Sequence, residues 1–210
     1  MNEVVLYDYW RSSASYRVRI ALNLLGIDYK TVPVNLLDCA HKTSDYLALN
    51  PQGLVPTLVI DGKTLTQSLA IIEYLAETRP ECGLLPLDIA DRQKVRALAY
   101  AVAMDIHPIC NLHVVSHLTT LTDKTDAREE WMNHFIADGL GKLEAMIGEA
   151  DGAFSFGDAP TMADFCLVPQ VYNARRWGVE LTAFQRIVDI DGRCAELPAF
   201  QAAHPDRVRP

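Results

Sequence analysis

One stretch near the start of the chain decides the fold: YWRSSASYRVRIAL, residues 9–22. The apolar run Val4–Tyr7 lies just before it and predicts a buried strand. Apolar residues then recur at the spacing of one helix face, and Gly26 can end that helix; they are Val18, Ala21, Leu22 and Leu25. Ser12 or Ser13 therefore lies at the turn into the helix, where an N-cap residue is expected and free backbone N–H groups attract anions. This turn could hold a thiolate or a carboxylate.

The residues that follow predict a small α/β domain. A second strand over residues 29–34 and a short helix over 41–49 come first. A hairpin that turns at Asp61-Gly62 then leads into a helix that Ser68 caps and Pro80 ends. A parallel βαβ unit followed by a hairpin and a helix is the thioredoxin-like arrangement. We therefore predict an α/β thioredoxin-like domain over residues 1–80.

The rest of the chain predicts an all-α domain. Residues 79–87 contain Pro80, Gly83 and Pro86 and form the one convincing linker. Beyond it we predict a long helix over about 88–121, bent near Pro108, and further helices over 127–147 and 161–177. One or two shorter helices should follow from Phe184 onward. The predicted all-α domain therefore covers residues 88–210.

Composition limits the classes of partner and compartment. The chain of 210 residues is 50% apolar, with a formal net charge of −8, so it can build proper cores but does not present the basic face of a nucleic-acid binder. No apolar run approaches the roughly 20 residues of a membrane span, and the chain starts without a signal-like segment. The five cysteines show neither C-x-x-C nor metal-ligand spacing. We expect free thiols, no metal site, no nucleic-acid or membrane partner and a cytoplasmic location.

The segment Arg11-Ser12-Ser13 carries the first candidate chemistry. In a thioredoxin-like fold the turn after the first strand is where a redox enzyme would place its C-x-x-C, and hydroxyls stand there here. A serine hydroxyl that donates to a bound thiolate favours the charged form of that thiol. The plain alternative is that Ser12 only caps the helix and Arg11 is a solvated charge.

Two further segments could complete one crevice for a small thiol peptide. Pro56 lies directly before a strand, where a cis peptide bond would leave the backbone N–H and C=O of Val55 facing the turn. An extended peptide could pair with that backbone. Gln67 and Ser68, at the start of a helix, suit an α-carboxylate and an α-amino group. The plain alternatives are an ordinary loop with two prolines and a simple N-cap.

The chain resembles a known family in motifs that span essentially its whole length. Residues 12–22, SSASYRVRIAL, closely resemble the S-S-C-x-[WH]-R-V-R-I-A-L signature of zeta-class glutathione transferases. Residues 55–58, 67–75, 157–164 and 167–176 are also similar to that class. The resemblance implies a glutathione transferase fold, glutathione as cofactor and a homodimer. The class includes maleylacetoacetate isomerase, and glutathione-dependent maleylpyruvate isomerase is a close relative.

The implied activity is the cis–trans isomerisation of a small acidic substrate, a maleyl acid. We expect the substrate to be maleylacetoacetate, which the enzyme would convert to fumarylacetoacetate in aromatic amino-acid catabolism. The alternative substrate is maleylpyruvate. A general glutathione transferase would use the same thiolate without docking a carboxylate. A non-enzymatic glutathione-transferase-like interaction protein would keep the fold alone.

The resemblance also implies roles for individual residues. Ser12 would contact the glutathione sulfur with Ser13 beside it, and Arg11 and Arg176 would bind substrate carboxylates. The remaining glutathione-binding positions would be the glycyl-end residue His41, the backbone of Val55, the γ-glutamyl-binding pair Gln67 and Ser68, and three polar residues of the long helix, His107, Asn111 and His113.

Two departures from the pattern bear on the substrate. Ala14 replaces the cysteine of the signature, which removes any help from that thiol. Leu112 and His113 stand where the maleylpyruvate enzyme has a pair of arginines, which weakens that substrate assignment.

Overall fold

The structure is a computed structural model that describes residues 3–148 and 152–210. Its one sheet has four strands: β1 (Val5–Asp8), β2 (Lys30–Pro33), β3 (Thr57–Ile60) and β4 (Lys63–Thr66). Their order is β2-β1-β3-β4, with β1 parallel to β2 and antiparallel to β3. Leu6 and Leu58 face each other across β1 and β3 and are both fully buried, so the centre of the sheet lies in the core.

Three helices accompany the sheet: α1 (Ser13–Leu24), α2 (Ser44–Leu49) and α3 (Ser68–Thr78). Short 3₁₀ turns at Ala40–Lys42 and Pro80–Cys82 flank α2 and α3. The hairpin between β3 and β4 turns at Asp61 and Gly62, which have φ of 54° and 71°, as a type I′ turn requires. These elements confirm the predicted βαβ unit, hairpin and helix of a thioredoxin-like fold.

The remaining helices are α4 (Ile89–Tyr100), α5 (Leu112–Leu118), α6 (Ala127–Ile147), α7 (Met162–Arg176), α8 (Gln185–Ala195), α9 (Pro198–Ala203) and α10 (Pro205–Val208). The predicted single helix over 88–121 is wrong, because α4 widens into a π-helical segment at Ala101–Ile106 and then breaks. The N–H of His107 bonds to the carbonyl of Val102 at 2.9 Å, five residues back. Pro108 has no N–H for the next helical bond, so a turn separates this segment from α5.

The end of the chain also differs from the prediction. Three helices, α8, α9 and α10, follow Phe184 where one or two were expected. Pro198 and Pro205 are each the first residue of a helix, the position where the fixed φ of proline favours a helix start. Each proline therefore begins a new short helix.

The chain folds into two compact units. The first unit comprises the residues up to Leu85 together with Ala195–Pro210, and the second comprises Pro86–Cys194. The ranges 1–80 and 88–210 stay a prediction for the domains, and the last segment of the chain packs with the first unit. None of the helices that the structure describes is long and apolar enough to cross a bilayer.

Arg19 explains why the last segment packs on the first unit. Its buried guanidinium donates to both carboxylate oxygens of Asp8 at 2.8 Å. It also donates to the carbonyls of Trp10 and Ala203, each at 2.9 Å. One side chain of α1 therefore joins β1, the turn after it and α9. Because both charges are buried, removal of either one would leave the other uncompensated.

Two local features shape the second unit: the cap at the start of α7 and the close approach of α6 to the π-helical segment. The spacing of Thr161 and Asp164 predicts a capping box at the start of α7. The structure confirms it, because the buried carboxylate of Asp164 accepts from the N–H of Thr161 at 2.7 Å and from the N–H of Ser155 at 2.8 Å. Gly139 of α6 lies so close to the π-helical segment that a Cβ there would overlap the side chain of Ile106. Glycine is therefore what allows α6 and this segment to approach.

Candidate active site

The turn after β1 leaves hydrogen-bond donors available at the start of α1. Ser12 is the N-cap of α1, and its Oγ accepts from the N–H of Ser15 at 3.2 Å. A hydroxyl has one donor and two acceptor positions, so the O–H of Ser12 remains available to donate. The N–H groups of Ser13 and Ala14, in the first helical turn, have no partner within the helix. This end of α1 therefore offers an O–H and backbone N–H groups to an anion.

The loop before β3 is fixed by side chains and leaves the backbone groups of Val55 without hydrogen-bond partners. Tyr46 and Asn50 both donate to the carbonyl of Leu54, at 2.6 Å and 2.8 Å. Burial raises the pKa of the Tyr46 hydroxyl, which keeps it a donor. The following bond, Val55-Pro56, is cis, and no backbone hydrogen bond joins Val55 to another of the described residues. The N–H and C=O of Val55 are thus free to pair with an extended ligand.

The start of α3 differs from the prediction in one detail. Ser68 was expected to cap the helix, but the N-cap is Gln67, which has φ of 66° and forms no side-chain cap bond. Ser68 is the first helical residue, and its buried Oγ accepts from Nη1 of Arg17 at 3.2 Å. The hydroxyl is taken by α1 because α1 and α3 pack together. The side-chain amide of Gln67 donates to Oε1 of Gln52 at 2.8 Å.

His41 lies in the 3₁₀ turn beside the same loop. Its Nδ1 is buried and has no hydrogen-bond partner among the residues that the structure describes. Burial, with a smaller contribution from Lys42, lowers the pKa of His41. A Cβ at Gly53, where φ is 61°, would lie 3.0 Å from the carbonyl oxygen of His41, so glycine allows the turn to approach the loop.

The other candidates of the sequence are exposed or half-buried. Arg11 is half-buried, and its Cζ lies 5.2 Å from the centroid of the Trp10 ring. In the second unit, His107 follows the π-helical segment and Asn111 is the N-cap of α5. His113 lies in the first turn of α5, with Nδ1 3.3 Å from Oδ1 of Asn111. Arg176 is the last residue of α7, with its Cζ 5.2 Å from the Trp177 ring centroid.

The first unit thus contains seven of the predicted residues on its loops and helix starts: Arg11, Ser12, Ser13, His41, Val55, Gln67 and Ser68. Tyr46, Asn50 and Arg17 support them. The sequence predicts a structural role as an ion-pair partner for Arg17 and places Asn50 at the start of the loop before β3, but it does not predict the contacts of any of the three. Asn50 had a signal, because asparagine side chains at turns bond to nearby backbone. Nothing in the local pattern indicates that Tyr46 reaches the same carbonyl.

Both halves of the chain match models of one family. Residues 2–77 match the glutathione S-transferase N-terminal domain, and residues 125–203 match the glutathione S-transferase C-terminal domain. The chain belongs to the glutathione S-transferase family. The fold expected from the sequence is therefore confirmed, with its α/β thioredoxin-like part and its mostly helical part.

Individual relatives indicate the class within the family. The glutathione S-transferase described here is 65% identical to a maleylacetoacetate isomerase of Rhizobium meliloti, over 100% of this chain and 99% of that protein. A holo structure of a maleylpyruvate isomerase, described as a bacterial glutathione S-transferase of the zeta class, has a TM-score of 0.94 and 44% identity and covers 98% of both chains. The resemblance to the zeta class is confirmed.

A third relative contains the cofactor. The maleylacetoacetate isomerase of Anaeromyxobacter dehalogenans was solved with glutathione in its active site. It has a TM-score of 0.89 and 44% identity to this glutathione S-transferase, over 99% of this chain and 97% of that one.

Proposed function

We propose that the chain is a glutathione-dependent cis–trans isomerase of a maleyl acid, with maleylacetoacetate as its substrate. The observation that carries the proposal is Ser12, a helix N-cap whose O–H remains free to donate, directly beside Arg11. The relatives named maleylacetoacetate isomerase support the choice of substrate.

The first unit fits glutathione on its own geometry. The unpaired N–H and C=O of Val55 would pair with the cysteinyl backbone. The buried Nδ1 of His41, which has no partner among the described residues, would bind the glycyl end. Gln67 and Ser68, at the N-terminus of α3, would hold the γ-glutamyl head. The backbone groups of Val55 and the Nδ1 of His41 have no partner among the described residues, and a buried polar group without a partner is costly. Ser68 and Gln67 already bond to Arg17 and Gln52, so the γ-glutamyl head would use the remaining hydrogen-bonding capacity of these two residues.

When bound, glutathione would supply a thiolate able to add to the substrate double bond, with the electron pair held as an enolate, so that the bond could rotate before the enolate re-forms the double bond and releases the thiolate. Ser12 donates to the sulfur, and the N-terminus of α1 favours its negative charge, so both lower the free energy of the thiolate. Arg11 and Arg176 bind the substrate carboxylates with forked donors. The donors at the turn are fixed before reaction, which is the condition for stabilising charge that develops on the substrate.

Maleylpyruvate is the second candidate substrate, because the zeta-class relative with the TM-score of 0.94 is a maleylpyruvate isomerase. Leu112 and His113 speak against it, since the family resemblance implies a pair of arginines at these two positions in a maleylpyruvate isomerase. Leu112 is 43% exposed and apolar, so it offers no donor to a carboxylate.

An assay of the purified protein tests the function. Maleylacetoacetate and maleylpyruvate are offered with and without glutathione, and conjugation of an electrophilic aryl halide is measured in parallel. We expect glutathione-dependent isomerisation, faster with maleylacetoacetate. Conjugation without isomerisation would identify a general transferase, and inactivity with both kinds of substrate would favour an interaction protein.

We also propose a cytosolic homodimer in which the α/β domain of one subunit faces the helical domain of the other. The exposed apolar side chains of Leu87, Ile89 and Met104, which are 72%, 82% and 56% exposed, support a covered face. The five cysteines are free, which supports a reducing compartment. Light scattering at micromolar concentration should give twice the mass of the chain, and a monomeric mass would contradict the proposal.

A further inference from the structure

Trp10 is in contact with two positive charges of the first unit. The Cζ of Arg11 lies 5.2 Å from the centroid of its ring, and the Cζ of Arg209 lies 5.1 Å from it. The face of an indole attracts each guanidinium through a cation–π interaction. The two guanidiniums repel each other, and an anion bound beside Trp10 would offset that repulsion.

A cavity of about 440 Å³ opens beside this cluster. Both arginines and Trp10 line it, and the apolar side chains of Leu37 and Val208 complete its wall. This volume is within the usual range of small-ligand sites, roughly 300–1,000 Å³. A cavity with cationic groups and apolar walls suits a short carbon chain that ends in a carboxylate.

No acidic side chain that the structure describes pairs with the two arginines of the cavity, and Pro210, which also lines the cavity, forms no ion pair with them. Asp8 is the one acidic side chain among the described residues that line it, and both of its oxygens already accept from Arg19 at 2.8 Å. Neither Arg11 nor Arg209 forms an ion pair with any residue that the structure describes. The two guanidiniums therefore give this cavity a positive potential.

We infer that Arg209 acts with Arg11 to bind one carboxylate of the acidic substrate, in the cavity beside Trp10. The inference rests on the proposed function and deepens it, because it assigns a specificity-determining residue to the segment after α10. Each guanidinium carries five N–H donors in a planar, forked arrangement. Two guanidiniums therefore have enough donors to form hydrogen bonds with both oxygens of one carboxylate. Trp10 orients the two guanidiniums by holding each of them near its ring.

The chain offers a matched control. Arg207 is an exposed arginine two positions earlier, within α10, and it does not line the cavity. Arg207→Ala removes the same charge from the same segment without removing a cavity group. Arg209→Lys keeps the positive charge but loses the planar, forked arrangement of N–H donors.

Two measurements on the glutathione-loaded protein test the inference at low ionic strength. Calorimetry gives the Kd of maleate, and turnover gives KM and kcat for maleylacetoacetate. We expect Arg209→Ala to raise both Kd and KM by about threefold to tenfold, as for loss of one exposed charge-assisted contact, with kcat nearly unchanged. Arg209→Lys should recover part of the loss, and Arg207→Ala should match the wild type.

The outcomes separate this inference from the proposed function. An Arg209→Ala variant that binds maleate like the wild type, or an equal loss in Arg207→Ala, overturns the role of Arg209. So does wild-type protein that binds no maleate at millimolar concentration. Wild-type protein that fails to isomerise either acid, yet binds maleate in a manner that depends on Arg209, overturns the proposed function and leaves the carboxylate site standing.

Discussion

In the first unit, buried side chains hold the candidate site residues, whereas in the second unit the candidates lie at breaks and ends of helices. Tyr46 and Asn50 fix the loop at Val55, and Arg17 fixes the start of α3. By contrast, His113 bonds only with its neighbour Asn111 among the contacts described for it, and both lie beside the break after the π-helical segment. The difference indicates that the first unit provides a rigid site for a constant cofactor, while the second unit can vary with the substrate.

The largest expected effect comes from the buried pair that supports the first unit. Asp8→Ala leaves the guanidinium of Arg19 buried without its partner, and we expect a loss of about 3–5 kcal/mol in the free energy of unfolding. Urea denaturation measures it. The control is Asp138→Ala, which removes an exposed ion pair with Lys142 and should cost roughly 0–1 kcal/mol. Similar losses in the two variants would contradict the view that burial makes the first unit rigid.

The second effect concerns the two serines of the first unit. Ser12→Ala removes the hydroxyl that we place against the sulfur, and a hydrogen bond to a charged group is worth about 1.5–3 kcal/mol. The turnover number should therefore fall by about one to two decades, with a raised pKa of the bound thiol in a spectroscopic titration. Ser13→Ala is the matched control and should change much less. Equal and small effects would mean that the helix N-terminus alone stabilises the thiolate.

The third effect concerns Arg176, in the second unit, and the KM for the maleyl acid. Arg176→Ala should raise KM for the maleyl acid by about tenfold, because a charge-assisted carboxylate contact is lost, and should leave glutathione affinity nearly intact. Arg176→Lys should rescue it only in part. The neighbour Arg175 pairs with Asp191 at 2.6 Å, so Arg175→Ala should lower the melting temperature and leave KM unchanged. A lower melting temperature with unchanged KM in Arg176→Ala would end the substrate-docking role.

The smallest effect contrasts one histidine from each unit. Because burial lowers the pKa of His41, its imidazole becomes charged at a lower pH than the usual value of about 6.5, so its charged fraction grows as the pH falls from 7.5 to 5.5. A charged imidazole binds a carboxylate more tightly, so the affinity for S-methylglutathione should rise roughly threefold between pH 7.5 and 5.5. This ligand has no thiol to titrate.

Calorimetry at the two pH values checks this. His41→Asn should abolish the rise, and His113→Asn should preserve it. A rise that disappears in His113→Asn instead would place the glycyl end of glutathione against the second unit.

Local patterns in the sequence were enough for the features that depend on neighbouring residues. Ser12 was one of two candidate N-caps, Asp61-Gly62 predicted the hairpin, and Thr161 with Asp164 predicted the capping box. Each of these rests on contacts within a few residues, where propensity and geometry act directly. The motif at residues 12–22 is likewise local and specific to one class. The relatives confirm the class that it predicts.

Features that depend on distant contacts could not be found in this way. The hydroxyl of Ser68 was expected to cap its own helix, and Arg17, 51 positions earlier, uses it instead. The bond from Arg19 to the carbonyl of Ala203 spans 184 positions. The helical period continued through 101–106, so it gave no sign that the backbone would widen there before Pro108.

The bond between Arg19 and Ala203 has a consequence for the order in which the protein is made. The first unit needs residues from both ends of the chain, and Pro86–Cys194 are translated between them. At about 5–20 residues per second, roughly nine to thirty-seven seconds pass between the addition of Arg19 and that of its partner Ala203, 184 positions later. During that time the guanidinium lacks its bond to α9, and Asn23 also lacks the carbonyl of Ala199 that it binds at 3.1 Å. The unit whose synthesis begins first is therefore completed last, after all residues of the helical unit have been translated.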